Sequence, residues 1–167
     1  MRVSAILLMF SFALAGIAGG QEEPSLPATM AFLQRSLLDD GQELYLSANR
    51  ILSVRADACH ISWTHAEVGN RFSGLVIQTK ELNLADLDTS QIKGWNSIGV
   101  LRLMTYNSEP KIGIHSTRFF NNKWSQRDTN ASQLELEFQD ATLTERVAKA
   151  FQHAAKLCGA KATKDPF

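Results

Sequence analysis

The four histidines are the side chains of this sequence with the widest chemistry, because imidazole binds metals and transfers protons near neutral pH. His60 and His65 lie in HISWTH, five residues apart, so on a straight strand they face opposite sides. His115 belongs to a different segment, and His153 to a helical pattern. Zinc needs three or four converging ligands, which this spacing does not supply. We therefore predict no metal site.

Nucleophilic and phosphate-binding chemistry have no sequence support either. Cys59 precedes His60, but adjacent strand residues point to opposite faces, so the imidazole would lie away from the sulfur. The acids Asp86 and Asp88 lack calcium-loop spacing, and we interpret them as solvated acids at the end of a strand. G-x-S-x-G and phosphate-loop patterns are absent. We predict no catalytic residue and no cofactor.

Two groups of residues are candidates for binding. Basic side chains on one side of a helical segment could form an anion or lipid-headgroup surface: Arg146, Lys149, His153 and Lys156. The alternative is an ordinary solvated helix flank. Aromatic side chains in or beside turns could line a ligand mouth, or plug the end of a barrel: Trp95, Phe119, Phe120 and Trp124.

The overall composition excludes one class of partner. The 167 residues carry 17 basic and 17 acidic side chains, and a dedicated nucleic-acid binder would be clearly basic. The length favours one domain, which we place at residues 25–160, followed by a short tail at 161–167.

The first residues have the pattern of a secretory signal peptide. Arg2 precedes the apolar run VSAILLMFSFALA, and small residues follow in GIAGG. The run is short for a membrane span of about 20 residues. We expect residues 1–20 to be a signal peptide, cleaved after Gly20 or after Ala18, and the mature protein to be secreted or periplasmic.

The first segment after the predicted signal peptide has apolar residues at helical spacing. Ser25 is the expected N-cap and Gly41 the expected end, which predicts a helix over about 25–39. Its apolar stripe is Leu26, Met30, Leu33 and Leu37.

A second helix is predicted from Thr142 to the region of Gly159. Thr142 and Glu145 have the spacing of a capping box, and Gly159 suits the left-handed residue that ends a helix. The expected core-facing stripe is Leu143, Val147, Ala150, Phe151, Ala154, Leu157 and Cys158.

Between the helices the hydrophobic period changes to two. Ile61 and Trp63 alternate with polar residues, as do Leu134 and Leu136 further on. Turn signals such as Asn121-Asn122 separate the runs. We predict an α+β fold in which an antiparallel sheet of about five to seven strands, curled, partly closed into a barrel or split into a sandwich, is capped by the C-terminal helix.

This order of elements resembles the pleckstrin-homology-like architecture over roughly residues 44–158, with an additional helix at the front. The ends of the chain, TMAFLQRSL and ERVAKAFQHAAKLCG, are also similar to uncharacterised exported bacterial domains. The resemblance implies a curled sheet closed by a helix. It implies no activity and no functional residue.

The two cysteines give the most specific structural prediction. Cys59 shares the apolar face of a strand with Ile61 and Trp63, and Cys158 lies on the apolar stripe of the last helix. In an exported protein an even cysteine count favours pairing. We predict a Cys59–Cys158 disulfide that joins the helix to the sheet, the alternative being two buried thiols.

We expect a binding or interaction module without catalytic activity, acting on an unknown protein. The alternatives are a carrier of a small apolar ligand in the barrel and a small hydrolase. A solid core with an exposed edge strand would favour the module, a cavity the carrier, and converging histidine and carboxylate groups the hydrolase.

Overall fold

The structure is a computed structural model that describes residues 23–43, 50–68, 74–95 and 99–163. The predicted signal peptide, residues 1–20, and residues 164–167 of the predicted tail lie outside the described residues. Helix α1 spans Leu26–Asp40 and helix α2 spans Ala141–Leu157. The strands between them are β1 (Gln42–Glu43), β2 (Ile51–Asp57), β3 (His60–Val68), β4 (Leu75–Asn83), β5 (Lys93–Trp95), β6 (Val100–Met104), β7 (Ile112–Phe120), β8 (Lys123–Ala131) and β9 (Gln133–Glu137).

The α+β class is confirmed, with a helix at each end of a run of antiparallel strands. Of the predicted arrangements of the strands, the structure has the split one, rather than one curled sheet or a partly closed barrel. The described residues instead contain nine strands, the first only two residues long, in two sheets. The four-stranded sheet has the order β1-β9-β6-β5, and the five-stranded sheet has the order β2-β3-β4-β7-β8. The strands are therefore split between two sheets that do not close into a barrel.

One core joins both sheets and both helices. Trp63 and Ile112 enter it from the five-stranded sheet, and Leu101 and Leu136 enter it from the four-stranded sheet, all with at most 1% of their surface exposed. Helix α1 packs against β2 and against α2, while α2 also packs against β5 and β6. Gly94 lets α2 approach closely, since a Cβ there would lie 3.3 Å from the Thr144 side chain.

Helix α1 begins and ends where the sequence predicts. The Ser25 side chain accepts a hydrogen bond from the Ala28 N–H at 3.4 Å, and the Gly41 N–H donates to the Leu37 carbonyl. Leu33 and Leu37 are fully buried. The predicted stripe is therefore the face that packs on β2.

Helix α2 has a different N-cap from the predicted one. Asp140 caps it, and its carboxylate accepts from the Thr142 N–H at 2.8 Å, so the predicted capping box of Thr142 and Glu145 is wrong. Aspartate is as good a cap as threonine, and here it precedes the first helical residue.

The buried face of α2 is also rotated from the predicted stripe. Val147, Phe151 and Ala154 are fully buried as expected, but Leu157 is 50% exposed. Thr144, Ala148 and Ala155 are buried on the other flank instead. The rotation follows from packing on two partners, because α2 lies against the four-stranded sheet and also against α1.

The predicted disulfide is present in the structure. The Cys59 and Cys158 sulfur atoms are 2.09 Å apart and their Cα atoms are separated by 5.7 Å. Cys59 does not lie on a strand, as the alternation suggested, but in the turn between β2 and β3, after Ala58 with φ of 47°. Cys158 is the residue that ends α2. The bond therefore ties a hairpin turn, rather than a sheet face, to the end of the helix.

Asp88 is a structural acid, which corrects its interpretation as solvated. Its side chain is 2% exposed and accepts hydrogen bonds from Ser90 and from both the N–H and the hydroxyl of Thr163. Burial by itself raises the pKa of Asp88, but these hydrogen bonds outweigh it and hold the pKa below 3.8. The Thr89 N–H also donates to the Lys161 carbonyl at 3.0 Å, so residues 161–163 are fixed beside the 3₁₀ helix Leu84–Asp86.

Candidate functional site

The edges of the two sheets differ in how they are protected. In the four-stranded sheet the edge strands β1 and β5 are two and three residues long. In the five-stranded sheet the edge strand β2 has a register irregularity between Ile51 and Ser53 and is contacted by α1. Short strands, bulges and covering helices are the usual means of preventing an edge from pairing further. The remaining edge, β8, has none of these three, and the protective feature that it does carry is its charged side chains, Lys123, Arg127 and Asp128.

Strand β8 is long, regular and uncovered. It runs for nine residues with unbroken register against β7, from the pair Phe120 and Lys123 to the pair Ile112 and Ala131. Every side chain from Lys123 to Asn130 is exposed, on both faces of the strand. Only Ala131 is half-buried. Among the described residues, no element packs on either face of β8 or pairs with its free edge.

The turn before β8 determines which backbone groups are free. Asn121 and Asn122 have φ of 47° and 59°, as a type I′ turn requires. In such a two-residue hairpin, Phe120 and Lys123 exchange both ladder hydrogen bonds, and bonded and non-bonded pairs then alternate. Every second residue of β8 therefore directs its N–H and C=O away from β7: Trp124, Gln126, Asp128 and Asn130.

The side chains of β8 give its two faces different charges. Lys123 and Arg127 lie on one face, and neither has an ion-pair partner within the described part of the chain. On the same face of β7, the Arg118 guanidinium lies 5.0 Å from the Phe120 ring centroid. The opposite face carries Asp128. One face of this edge is therefore basic.

The predicted aromatic mouth is divided between the two sheets. Phe119 and Trp124 are cross-strand partners whose ring centroids are 4.9 Å apart, and Phe120 lies beside the same turn. Trp95 belongs to β5, in the four-stranded sheet, and its side chain lies outside what the structure describes. Trp124 is 58% exposed. The three aromatic residues of the hairpin mark one end of the β8 edge rather than the opening of a barrel.

The outer face of the five-stranded sheet holds a histidine between two carboxylates. His115 Nδ1 is 3.0 Å from Asp128, and Nε2 is 3.6 Å from Glu81. The hydrogen bond to Asp128, helped by the charge of Glu81, raises the pKa of His115 above 6.5. A hydrolytic histidine needs one nitrogen directed at a nucleophile. Here both nitrogens face carboxylates, which does not favour the hydrolase alternative.

The other histidines occupy separate places. His60 is exposed and His65 is 1% exposed, which confirms that they face opposite sides of β3. His60 lines a polar depression of about 260 Å³ on the outer sheet face, together with Arg55 and Glu81. Within residues 23–43, 50–68, 74–95 and 99–163, no three histidine, cysteine or acidic side chains are grouped so that they could hold a metal.

The predicted basic surface lies mainly at the junction of the two helices. Arg146, Lys149 and His153 line a groove between α1 and α2, whereas Lys156 is exposed further along α2. Lys149 is paired with Glu145 at 2.7 Å. His153 is not on a fully solvated face, because its Nε2 lies 2.7 Å from the Pro24 carbonyl. In the described part of the chain, neither helix has the length and apolar character needed to cross a membrane.

Comparison with known proteins adds no assignment, because the chain matches no protein-family model, no curated protein and no solved structure. The β8 edge is not among the sites predicted from the sequence. The signal was present in Asn121-Asn122 followed by KWSQRDTN, a strand-length run that alternates without an apolar face. Such a run predicts a strand that is wet on both sides, which places it at the edge of a sheet.

Proposed function

We propose that this protein is an interaction module that binds an extended segment of a partner protein as an additional strand beside β8. The observation that supports the proposal is the contrast between β8 and the other sheet edges. Three edges are short, irregular or contacted by a helix, while β8 offers nine regular residues with both faces exposed. Main-chain hydrogen bonds to such an edge supply affinity, and alternate side chains supply specificity.

The charge of the edge favours a particular partner. Lys123 and Arg127 are four residues apart on one face, so a partner strand with acidic side chains at matching alternate positions would face them. Pairing with a second copy centred on Arg127 would place like charges opposite each other, which is unfavourable. The occupant we infer is therefore an acidic, extended segment of a different protein, with an apolar side chain near Trp124.

The experiment uses a short blocked peptide of alternating valine and glutamate. Its control is a peptide of the same length with alternating valine and lysine, which has the opposite charge. Binding is followed by NMR. We expect the acidic peptide to slow amide exchange at the outward-directed residues Trp124, Gln126 and Asp128, and the basic peptide to bind more weakly. Protection at β2 instead of β8, or equal binding of both peptides, would contradict the proposal.

A pair of substitutions at one position isolates the backbone contribution. Gln126→Pro removes an outward N–H while leaving the bonds to β7, and proline is tolerated at such edge positions. Gln126→Thr keeps the N–H and suits a strand. We expect Gln126→Pro to weaken peptide binding by about tenfold or more, the equivalent of one or two hydrogen bonds, while Gln126→Thr binds like the natural sequence. Equal binding by both variants would refute strand addition.

We also propose that the protein is exported. The disulfide supports this, since such bonds persist in oxidising compartments and are rare in the cytosol. The test is intact-mass analysis of protein recovered from outside the cytoplasm. A mass that corresponds to removal of the first 18 to 20 residues is expected, and a retained Met1 would contradict it.

A further inference from the structure

A second candidate site is independent of the β8 edge. It is the groove between α1 and α2, with a volume of about 470 Å³, which lies in the range of sites for small molecules. Its apolar lining comes from Ala28 and Phe32 on α1 and from Ala150 on α2. The groove is open to solvent on one side, because Ala28 is exposed while Phe32 and Ala150 are half-buried.

The nitrogen-containing side chains around the groove all belong to helix α2. The Arg146 guanidinium lies 5.4 Å from the centroid of the Phe32 ring, which holds the charge over the apolar lining. Arg146 has no carboxylate partner among the described residues. Lys149 lies one helical turn further, and its ammonium is shared with Glu145 at 2.7 Å.

His153 closes the end of the groove. Its Nε2 is 2.7 Å from the Pro24 carbonyl, so Nε2 carries the proton and donates. Its Nδ1 lies 3.9 Å from Glu23, whose side chain is exposed. The groove is therefore apolar inside, with two cationic side chains and one imidazole around it, opposed by the exposed acid Glu23 and the half-buried acid Glu145.

We propose that this groove binds an anionic amphiphile with a single apolar chain, such as a fatty acid. The chain lies along Ala28, Phe32 and Ala150, and the anionic head contacts Arg146. Charge complementarity supports this occupant, since an apolar lining beside an arginine that has no carboxylate partner in the described part of the chain matches a molecule with one apolar and one anionic part. Burial of the chain supplies most of the affinity, and the contact of the anionic head with Arg146 sets its orientation and strengthens binding severalfold.

The test uses laurate below its micelle-forming concentration, titrated into the full protein and followed by NMR or calorimetry. Ala28→Phe fills the groove from an exposed helix position. Ala31→Phe is the matched control, because Ala31 is exposed on the same helix and lines a different depression beside Ala58. Both changes carry the same small helix-propensity cost.

We expect laurate to bind the natural sequence and Ala31→Phe equally, and Ala28→Phe at least about tenfold more weakly. Arg146→Gln should weaken laurate severalfold while leaving dodecanol, which has the same chain without the charge, unaffected. Equal laurate binding by Ala28→Phe and Ala31→Phe would overturn the proposal. So would equal binding of laurate and dodecanol, or binding to phosphatidylglycerol vesicles without binding of free laurate, which would indicate a membrane-surface contact instead.

Discussion

Loss of the Cys59–Cys158 bond should lower the free energy of unfolding by an amount set mainly by the loop that it closes. The cysteines are separated by 99 residues, for which the chain-entropy relation gives about 4.7 kcal/mol at 25 °C. The native contacts of α2 do not depend on the bond, because Val147, Phe151 and Ala154 are fully buried against the rest of the core. We therefore expect Cys59→Ala/Cys158→Ala to fold, with a stability loss of about 3–5 kcal/mol.

The measurement is urea denaturation of the oxidised protein, the reduced protein and the double alanine variant. Reduced protein and variant should agree, which separates the bond from any effect of the reductant. The dependence of the unfolding free energy on urea should also be steeper without the bond, because the unfolded chain is then more expanded. A loss below about 1 kcal/mol, with an unchanged urea dependence, would refute the view that the bond acts on the unfolded state.

Three further outcomes follow from individual side chains. Asp88→Asn should cost about 1–3 kcal/mol at neutral pH by removing the charged acceptor for Ser90 and Thr163. Because the folded-state pKa of Asp88 is lowered, its contribution to the free energy of unfolding is present above pH 3.8 and is lost as the pH falls further. The stability of the variant should therefore approach that of the natural protein in acid. A difference in unfolding free energy that stays constant with pH would contradict this. The pKa of His115, measured by NMR, should lie above 6.5, and Asp128→Asn should lower it. The stabilising effect of His115 is present at low pH and is lost as the pH rises through its folded-state pKa. An unchanged His115 pKa in Asp128→Asn would show that Asp128 is not the cause of the shift. Phe151→Ala should cost about 3–5 kcal/mol by thermal or urea unfolding, whereas Leu157→Ala, at a half-exposed position, should cost much less.

The parts of the fold that depend on neighbouring residues could be predicted from the sequence. Helix α1 was predicted to within one residue at each end, because Ser25, Pro27 and Gly41 determine its ends locally. The turn at Asn121-Asn122 was predicted for the same reason. The disulfide was predicted from the cysteine count and the apolar positions near each cysteine.

Which strands share a sheet could not be predicted, because that depends on pairings between distant segments. Gln42 pairs with Glu137, and Lys93 pairs with Arg102 in the same sheet, while β7 instead joins β4. An alternating pattern shows that a strand has one apolar face, but it does not show which partner the strand takes. The rotation of α2 has a similar cause, since its buried face is set by two packing partners.

One side of the helix groove could be predicted from the sequence, whereas its other side and the β8 edge could not, for a physical reason. Arg146, Lys149 and His153 could be grouped from the sequence, because helical periodicity places them on one side of α2, where they line one groove. Their apolar counterpart on α1 required the tertiary contact of the two helices. The β8 edge could not be predicted from reactive side chains, because that surface consists mainly of backbone groups.

The bond between Cys59 and Cys158 also has a consequence for the order of events as the chain is made. Cys59 is synthesised 99 residues before its partner, an interval of roughly 5 to 20 s at ordinary rates of synthesis. Helix α2, which brings Cys158 into place, also covers the four-stranded sheet, and that sheet needs β9 to reach β1. The nascent chain therefore carries one unpaired thiol throughout this interval, before its own partner exists. In an oxidising compartment that thiol can react only with other molecules until Cys158 has been made, so the native bond is among the last parts of the fold to form.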